Sequence, residues 1–220
     1  MQEILYRVYQ ILTYVDIVAF FVLTALLLFS FNRLTTTLKW FTVFEFLVFV
    51  IVLVALIMAK MAIPNTILFH SVFFAQLLWL VIYYQRLFRG TKAAQVIAGI
   101  GIVSLSWAIQ KYVTDWAEIK GQLGGQLYFM SNLLFIGLSI VYYVYTLTGL
   151  AKLSHPLINA AVLIYFSGTS VIFLFGDYLL KIDPGVQAMI WILNVLLHII
   201  FVLLIFVDIW KTLYPAKRIL

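Results

Sequence analysis

The chain reads as an all-α integral membrane protein, a single seven-transmembrane-helix bundle covering residues 1–220, with its N-terminus outside and its C-terminus inside. Three observations predict this. First, 65% of the 220 residues are hydrophobic and only 10% are charged, whereas soluble domains carry about 45–50% apolar and about 25% charged residues. So apolar a chain has too little polar surface to cover a soluble globule, and lipid must be the solvent for most of it. Second, apolar runs close to the roughly 20 residues needed to cross about 30 Å of hydrocarbon recur seven times. Third, Lys and Arg sit at the ends of those runs and are unevenly shared between the two sides.

The runs are bounded by charge, Pro and Gly. They cover about Ile11–Phe31, Trp40–Ala59, Pro64–Phe88, Ala93–Tyr112, Gln126–Leu150, Pro156–Leu180 and Pro184–Trp210. Pro64, Pro156 and Pro184 open their runs, at positions where a missing N–H leaves no helical bond unmade. The fourth run contains "VIAGIGIVSLSW". Its small residues predict close helix packing, because they let backbones approach. The first residues, "MQEILYRVYQ", lack the apolar core and small-residue cleavage site of a signal peptide, so the first run is expected to remain as a membrane helix. Connections are short, and no soluble domain is expected.

Seven crossings place the termini on opposite sides. With the N-terminus outside, nine basic residues fall inside: Arg33, Lys39, Arg86, Arg89, Lys92, Lys152, Lys211, Lys217 and Arg218. Five fall outside (Arg7, Lys60, Lys111, Lys120 and Lys181), together with Glu3, Asp115, Glu118, Asp177 and Asp183. Basic residues collect on the cytoplasmic side of membrane proteins, which favours this orientation. The formal charge of +6 is therefore read as contact with membrane lipids. Nucleic acid is not expected as a partner, because the cations do not cluster on one face.

Catalytic and cofactor chemistry finds little to stand on. The chain has no cysteine, which removes disulfides and thiolate chemistry. It has no HExxH zinc motif and no Gly-rich phosphate loop. "YFSGTS" lacks the framing glycines of a nucleophile elbow, and no lysine lies deep in the seventh run. Only His70, Asp16 and Asn194 share a depth as possible metal ligands, so no metal and no cofactor are expected. An intramembrane hydrolase would need paired carboxylates at one depth, and Asp16, Glu45 and Asp177 do not offer them. The chain is read as a non-enzyme.

What remains is a set of polar groups inside the apolar runs, where such groups are expensive and point to function or to pairing. At about 1.5 Å per residue, Asp16, His70, Asn132, Asp177 and Asn194 fall in the outer half, and Gln76, Tyr165, Ser167 and His198 lie near the centre. These nine predict a ligand-binding polar cavity open to the outside. Glu45, Asn159 and Asp208 fall in the inner half. In "WILNVLLHII", Asn194 and His198 are four residues apart and share a helix face, with Trp191 and Phe201 extending the stripe. Either they hydrogen-bond across the bundle, at about 0.6–2 kcal/mol each, or they form a ligand or proton site. Trp40, Trp116 and Trp210 are expected at the membrane interfaces, whereas Trp79, Trp107 and Trp191 lie deeper.

Over the last two runs, "LINAAVLIYFSGTSVIFLFGDYLL" and "IWILNVLLHIIFVLLIFVDIWKT", the chain resembles small, largely uncharacterised seven-helix membrane proteins of Bacteroidetes, often encoded beside sensor histidine kinases. The likeness rests on Tyr165-Phe166-Ser167-Gly168, the following "FLF", and a Trp-x-x-Asn-x-x-x-[His/Asn] pattern. It departs at Thr169 and His198, where those proteins often carry Asn. The resemblance implies a bacterial cytoplasmic membrane and a sensory or accessory module working with a kinase. Two other readings stand beside it. A small-solute or proton-coupled transporter would be favoured by a three-plus-one-plus-three repeat, which the sequence does not display. The intramembrane hydrolase is the third.

Overall fold

The computed structural model describes residues 2–61, 63, 65–119, 125–150, 154–175, 178 and 182–215. Seven long helices account for most of them: α1 Gln2–Phe29, α2 Thr36–Lys60, α3 Thr66–Leu87, α4 Lys92–Ile119, α5 Gly125–Leu147, α6 Pro156–Leu174 and α7 Pro184–Leu213. No strand occurs among the described residues. Six of these helices are long and apolar enough to cross a membrane. The fold is an all-helical, multi-pass membrane bundle.

Side-chain pairs give the direction of each helix. Phe20 meets Phe49 across α1 and α2, and Phe44 stacks on Trp79 while Phe41 meets Tyr83 across α2 and α3. From Phe41 to Phe44 the partner number falls from 83 to 79, so α2 and α3 are antiparallel. The same holds for α5 and α6, where Tyr128 stacks on Phe173 and Phe135 packs on Phe166. By contrast, α3 and α5 are parallel: Phe73 meets Tyr128, and Tyr84 meets Ser139. α1 and α7 are parallel as well, with Gln2 beside Asp183 and Asp16 beside His198. The seven helices therefore alternate in direction, and the start of α1 and the end of α7 lie at opposite ends of the bundle.

Two groups of helices make up the body. α7 packs extensively on α1 and α6, and α6 on α5; α3 packs on α2 and α4. The seams between the groups, α1 with α2 and α3 with α5, are sparser. α4 rests on α3 at Gly101, where a Cβ would lie 2.3 Å from Val81 Cγ1. The "VIAGIGIVSLSW" stretch is thus continuous helix in close contact, as its small residues predict. Gly168 does the same between α6 and α7, where a Cβ would meet Leu197 Cδ1 at 2.6 Å.

Local chemistry explains three of the helix starts. Thr35 caps α2 by accepting from the Leu38 N–H, and Asp183 caps α7 by accepting from the Gly185 and Val186 N–H groups. Pro156 and Pro184 occupy the first turns of α6 and α7, as their fixed φ favours. Several boundaries differ from expectation. α1 begins at Gln2 instead of Ile11, because the preceding mixed segment continues the helix beyond its apolar part. α4 runs past Tyr112 to Ile119, with a non-helical residue at Asp115. α6 stops at Leu174 instead of reaching Leu180, capped by Phe175.

The aromatic residues sort by depth. Trp40, Trp116 and Trp210 are exposed near helix ends, as anticipated for interfacial anchors. Trp79 is buried between Phe44 and Tyr83. Trp107 lines an apolar groove of about 250 Å³ among α3, α4 and α5.

Candidate functional site

Where the two helix groups meet, the bundle encloses a cavity of about 210 Å³ lined from α1, α2, α3, α5, α6 and α7. It lies in the half of the bundle nearer the start of α1. Six of the nine sequence-predicted residues converge on it: Asp16, Gln76, Asn132, Tyr165, Asn194 and His198.

The pair at its centre joins the first and last helices. His198 Nδ1 lies 2.7 Å from Asp16 Oδ1, with both side chains only partly accessible. Aromatic rings hold the imidazole: Phe201 stacks on it, while Phe20 and Tyr165 approach edge-on. Across the cavity, Asn132 Nδ2 donates to Thr169 Oγ1 at 3.2 Å, and the Thr169 hydroxyl donates to the Tyr165 carbonyl at 2.8 Å. Asn194 differs. Its Oδ1 is buried and has no hydrogen-bond partner among the described residues. An amide oxygen removed from water without a donor costs about 1–3 kcal/mol, so this acceptor is a vacant position for a donor group.

The walls are apolar and aromatic, with Phe20, Phe49, Tyr128, Phe166, Phe173 and Trp191 among them. A largely apolar pocket with a few convergent polar groups is the usual form of a small-molecule site. The arrangement can hold an amphipathic molecule of modest size, its donor on Asn194 and its body against the rings.

Three expectations fare differently. His70 is buried in α3, but it turns away from the cavity toward α4, where its Nδ1 hydrogen-bonds the Tyr112 hydroxyl and the rings pack edge-to-face. It joins two helices there. Ser167 is exposed on the outer face of α6, beside Ile164 and Val171, which are also exposed, so it does not belong to the cavity. Asp177 lies outside the described residues. For His70 and Ser167, rotation about the helix axis, which depth alone does not give, decides what each one faces.

Trp191, read from the sequence on the same stripe as Asn194, lines the cavity as well, and so does Thr169, which was not among the nine. Thr169 lies four residues after Tyr165, so helical spacing from that residue would have found it.

A second polar group occupies the other end of the bundle and is buried throughout. Asp208 on α7 accepts from the Leu157 and Ile158 N–H groups with Oδ2, at 2.8 and 3.0 Å, and its Oδ1 lies 3.3 Å from His155 Nδ1. It thus supplies the cap that the start of α6 lacks, since neither His155 nor a first-turn acidic residue provides one. His155 adopts a left-handed backbone, φ 65°, uncommon for a residue other than glycine and unlike the extended form that a following proline favours. Nearby, Asn159 Nδ2 donates to the His155 carbonyl, and Ser139 bridges the Asn159 carbonyl and the Tyr84 hydroxyl. The signal for Asp208 was available in the sequence: a helix opening on Pro156 without a local acidic cap requires an acceptor from elsewhere. Among the described residues no three His, Asp or Glu side chains come together as a metal site.

Fold and site together define a polytopic helical membrane protein with a polar-centred internal cavity. No protein-family model, no curated protein and no solved structure matches the chain.

Proposed function

We propose that this protein is a receptor-like sensory or accessory module of the bacterial cytoplasmic membrane, crossing it seven times with its N-terminus outside. A small amphipathic ligand or lipid enters the cavity, and the signal passes to a membrane partner such as a sensor histidine kinase. The observation that carries this reading is the buried, unpartnered Asn194 Oδ1 in a cavity lined by six helices. The sparse seams beside the cavity support the mechanism. A ligand that binds better to one arrangement of the two helix groups shifts the population toward it, and the inner ends of α1 and α7 carry the change outward.

The same seams favour a second reading, in which the two groups rock about the cavity and move a small solute across the membrane. One experiment separates the two. The protein in lipid nanodiscs is screened against small amphipathic molecules by thermal shift and Trp fluorescence. A true ligand at 100 times its Kd stabilises by about 2.7 kcal/mol. In Asn194→Leu the unliganded protein keeps its stability, because an unsatisfied acceptor is removed, while stabilisation by the ligand is lost. Equal stabilisation of the variant rejects the cavity as the site. Uptake of the same molecule into proteoliposomes selects transport over sensing.

The orientation has its own test. The chain has no native cysteine, so single cysteines report cleanly. Thr114→Cys, at the end of the bundle where α1 starts, should react with an impermeant thiol reagent in intact cells. Arg89→Cys, at the opposite end, should react only after permeabilisation. The reverse pattern rejects the proposed topology.

A further inference from the structure

The least expected group in the bundle interior is a carboxylic acid that the cavity does not use. Glu45 on α2 is 2% exposed, and its Oε1 has no hydrogen-bond partner among the described residues. It forms no ion pair among them either. An ionised carboxylate so placed would be an uncompensated buried charge, which is far costlier than a buried neutral acid.

Its position relates it to the cavity. Val48 and Phe49, three and four residues further along α2, line the cavity wall. Residues at this spacing share a helix face, so Glu45 sits one turn beneath that wall. Across the interface, Phe20 of α1 packs on Phe49. One turn below that contact, the antiparallel register brings Thr24 to the level of Glu45. The Thr24 hydroxyl is also buried without a partner among the described residues.

The helices packed against α2 are α1 and α3. The buried titratable groups on these helices are Tyr83, which meets Phe41, Tyr84, bonded to Ser139, and His70, bonded to Tyr112 of α4. Asp16, partly buried two turns nearer the cavity, is paired with His198. Arg86 lies over the ring of Trp40 near the far end of α2. None of these is paired with Glu45.

We propose that Glu45 is a proton-binding site: it is held as a neutral acid and exchanges its proton with the central cavity. Release breaks the O–H bond at Glu45, leaves the electron pair on the carboxylate, and forms an O–H bond on a water in the cavity. Uptake is the reverse, and the Thr24 hydroxyl, able to accept and donate at once, is the relay. A ligand that expels cavity water interrupts this exchange, so occupancy and protonation are linked. That last consequence rests on the cavity reading; the proton site itself does not.

Infrared spectroscopy of the protein in nanodiscs tests the site without any ligand. At neutral pH the wild type should show the carbonyl stretch of a protonated carboxylic acid, and Glu45→Gln should lose it. Should that variant fail to fold, wild-type protein carrying carboxyl-13C glutamate answers the same question. The chain has three glutamates, and Glu45 is the one expected to contribute an acid band, which the label shifts down. An acid band that neither the substitution nor the label affects, or no acid band at all, overturns the site. The route is tested by transfer to deuterated buffer. Deuteration of the Glu45 acid should slow in Thr24→Val, which removes the relay hydroxyl and keeps the shape of the side chain. An unchanged rate overturns this route to the cavity while leaving the site standing.

Discussion

Asp208→Ala should lower the stability of the bundle by about 3–5 kcal/mol, the range seen when one partner of a buried charged network is removed. The carboxylate accepts from two amides at the start of α6 and lies beside His155. Asp208 is only 6% exposed, so water does not replace it when it is deleted. Asp208→Asn is the informative control. One amide oxygen can still accept from both Leu157 and Ile158, because both bonds use the same carboxylate oxygen. What is lost is the negative charge at a helix N-terminus, and the expected decrease is about 1–2 kcal/mol. Thermal unfolding in detergent ranks the three proteins as wild type, Asn variant, Ala variant. An alanine variant that melts with the wild type would mean that the α6 amides have found another acceptor.

The second large effect is expected at His198. His198→Leu leaves Asp16 partly buried inside the bundle without its partner, and a loss of several kcal/mol follows. His198→Asn should be far milder. Nδ1 of histidine and Nδ2 of asparagine are each one bond beyond Cγ, so the amide can reach Asp16 from nearly the same place. The stacking on Phe201 is given up, which is worth about 0.5–1.5 kcal/mol. Stability therefore separates the bridge from chemistry, because only the imidazole titrates near neutral pH. A His198→Asn protein that folds normally and keeps its ligand response has a bridge at this position. One that folds normally but has lost that response has a histidine whose proton or ring is needed.

The helix inventory was legible because apolar run length and bounding charges are one-dimensional signals. Helix ends were less so. The segment before Ile11 is too polar to count as a span, yet nothing in it stops a helix. α6 ends at Leu174 although apolar residues continue, since apolarity alone does not end or prolong a helix. The site was legible in depth but not in rotation. Asp16, Asn194 and His198 face one cavity, while Ser167, at a similar depth to Tyr165, faces outward because two residues along a helix turn the side chain through about 200°. His70 looked like its neighbours in depth and found Tyr112 instead. Pairings such as Asp16 with His198, 182 residues apart, leave no local trace in sequence.

That separation bears on how the protein is made. α1 is synthesised well before α7, and domains form in the order in which they emerge. Until α7 arrives, Asp16 has no imidazole to face, and the start of α6 has no Asp208 to receive its amides. The nascent bundle thus carries unmet polar groups in the bilayer, which favours retention by the insertion machinery over early release. Arrival of the last helix satisfies both ends at once. Closure of the fold therefore waits for α7, and a product truncated before it should be recognised and degraded.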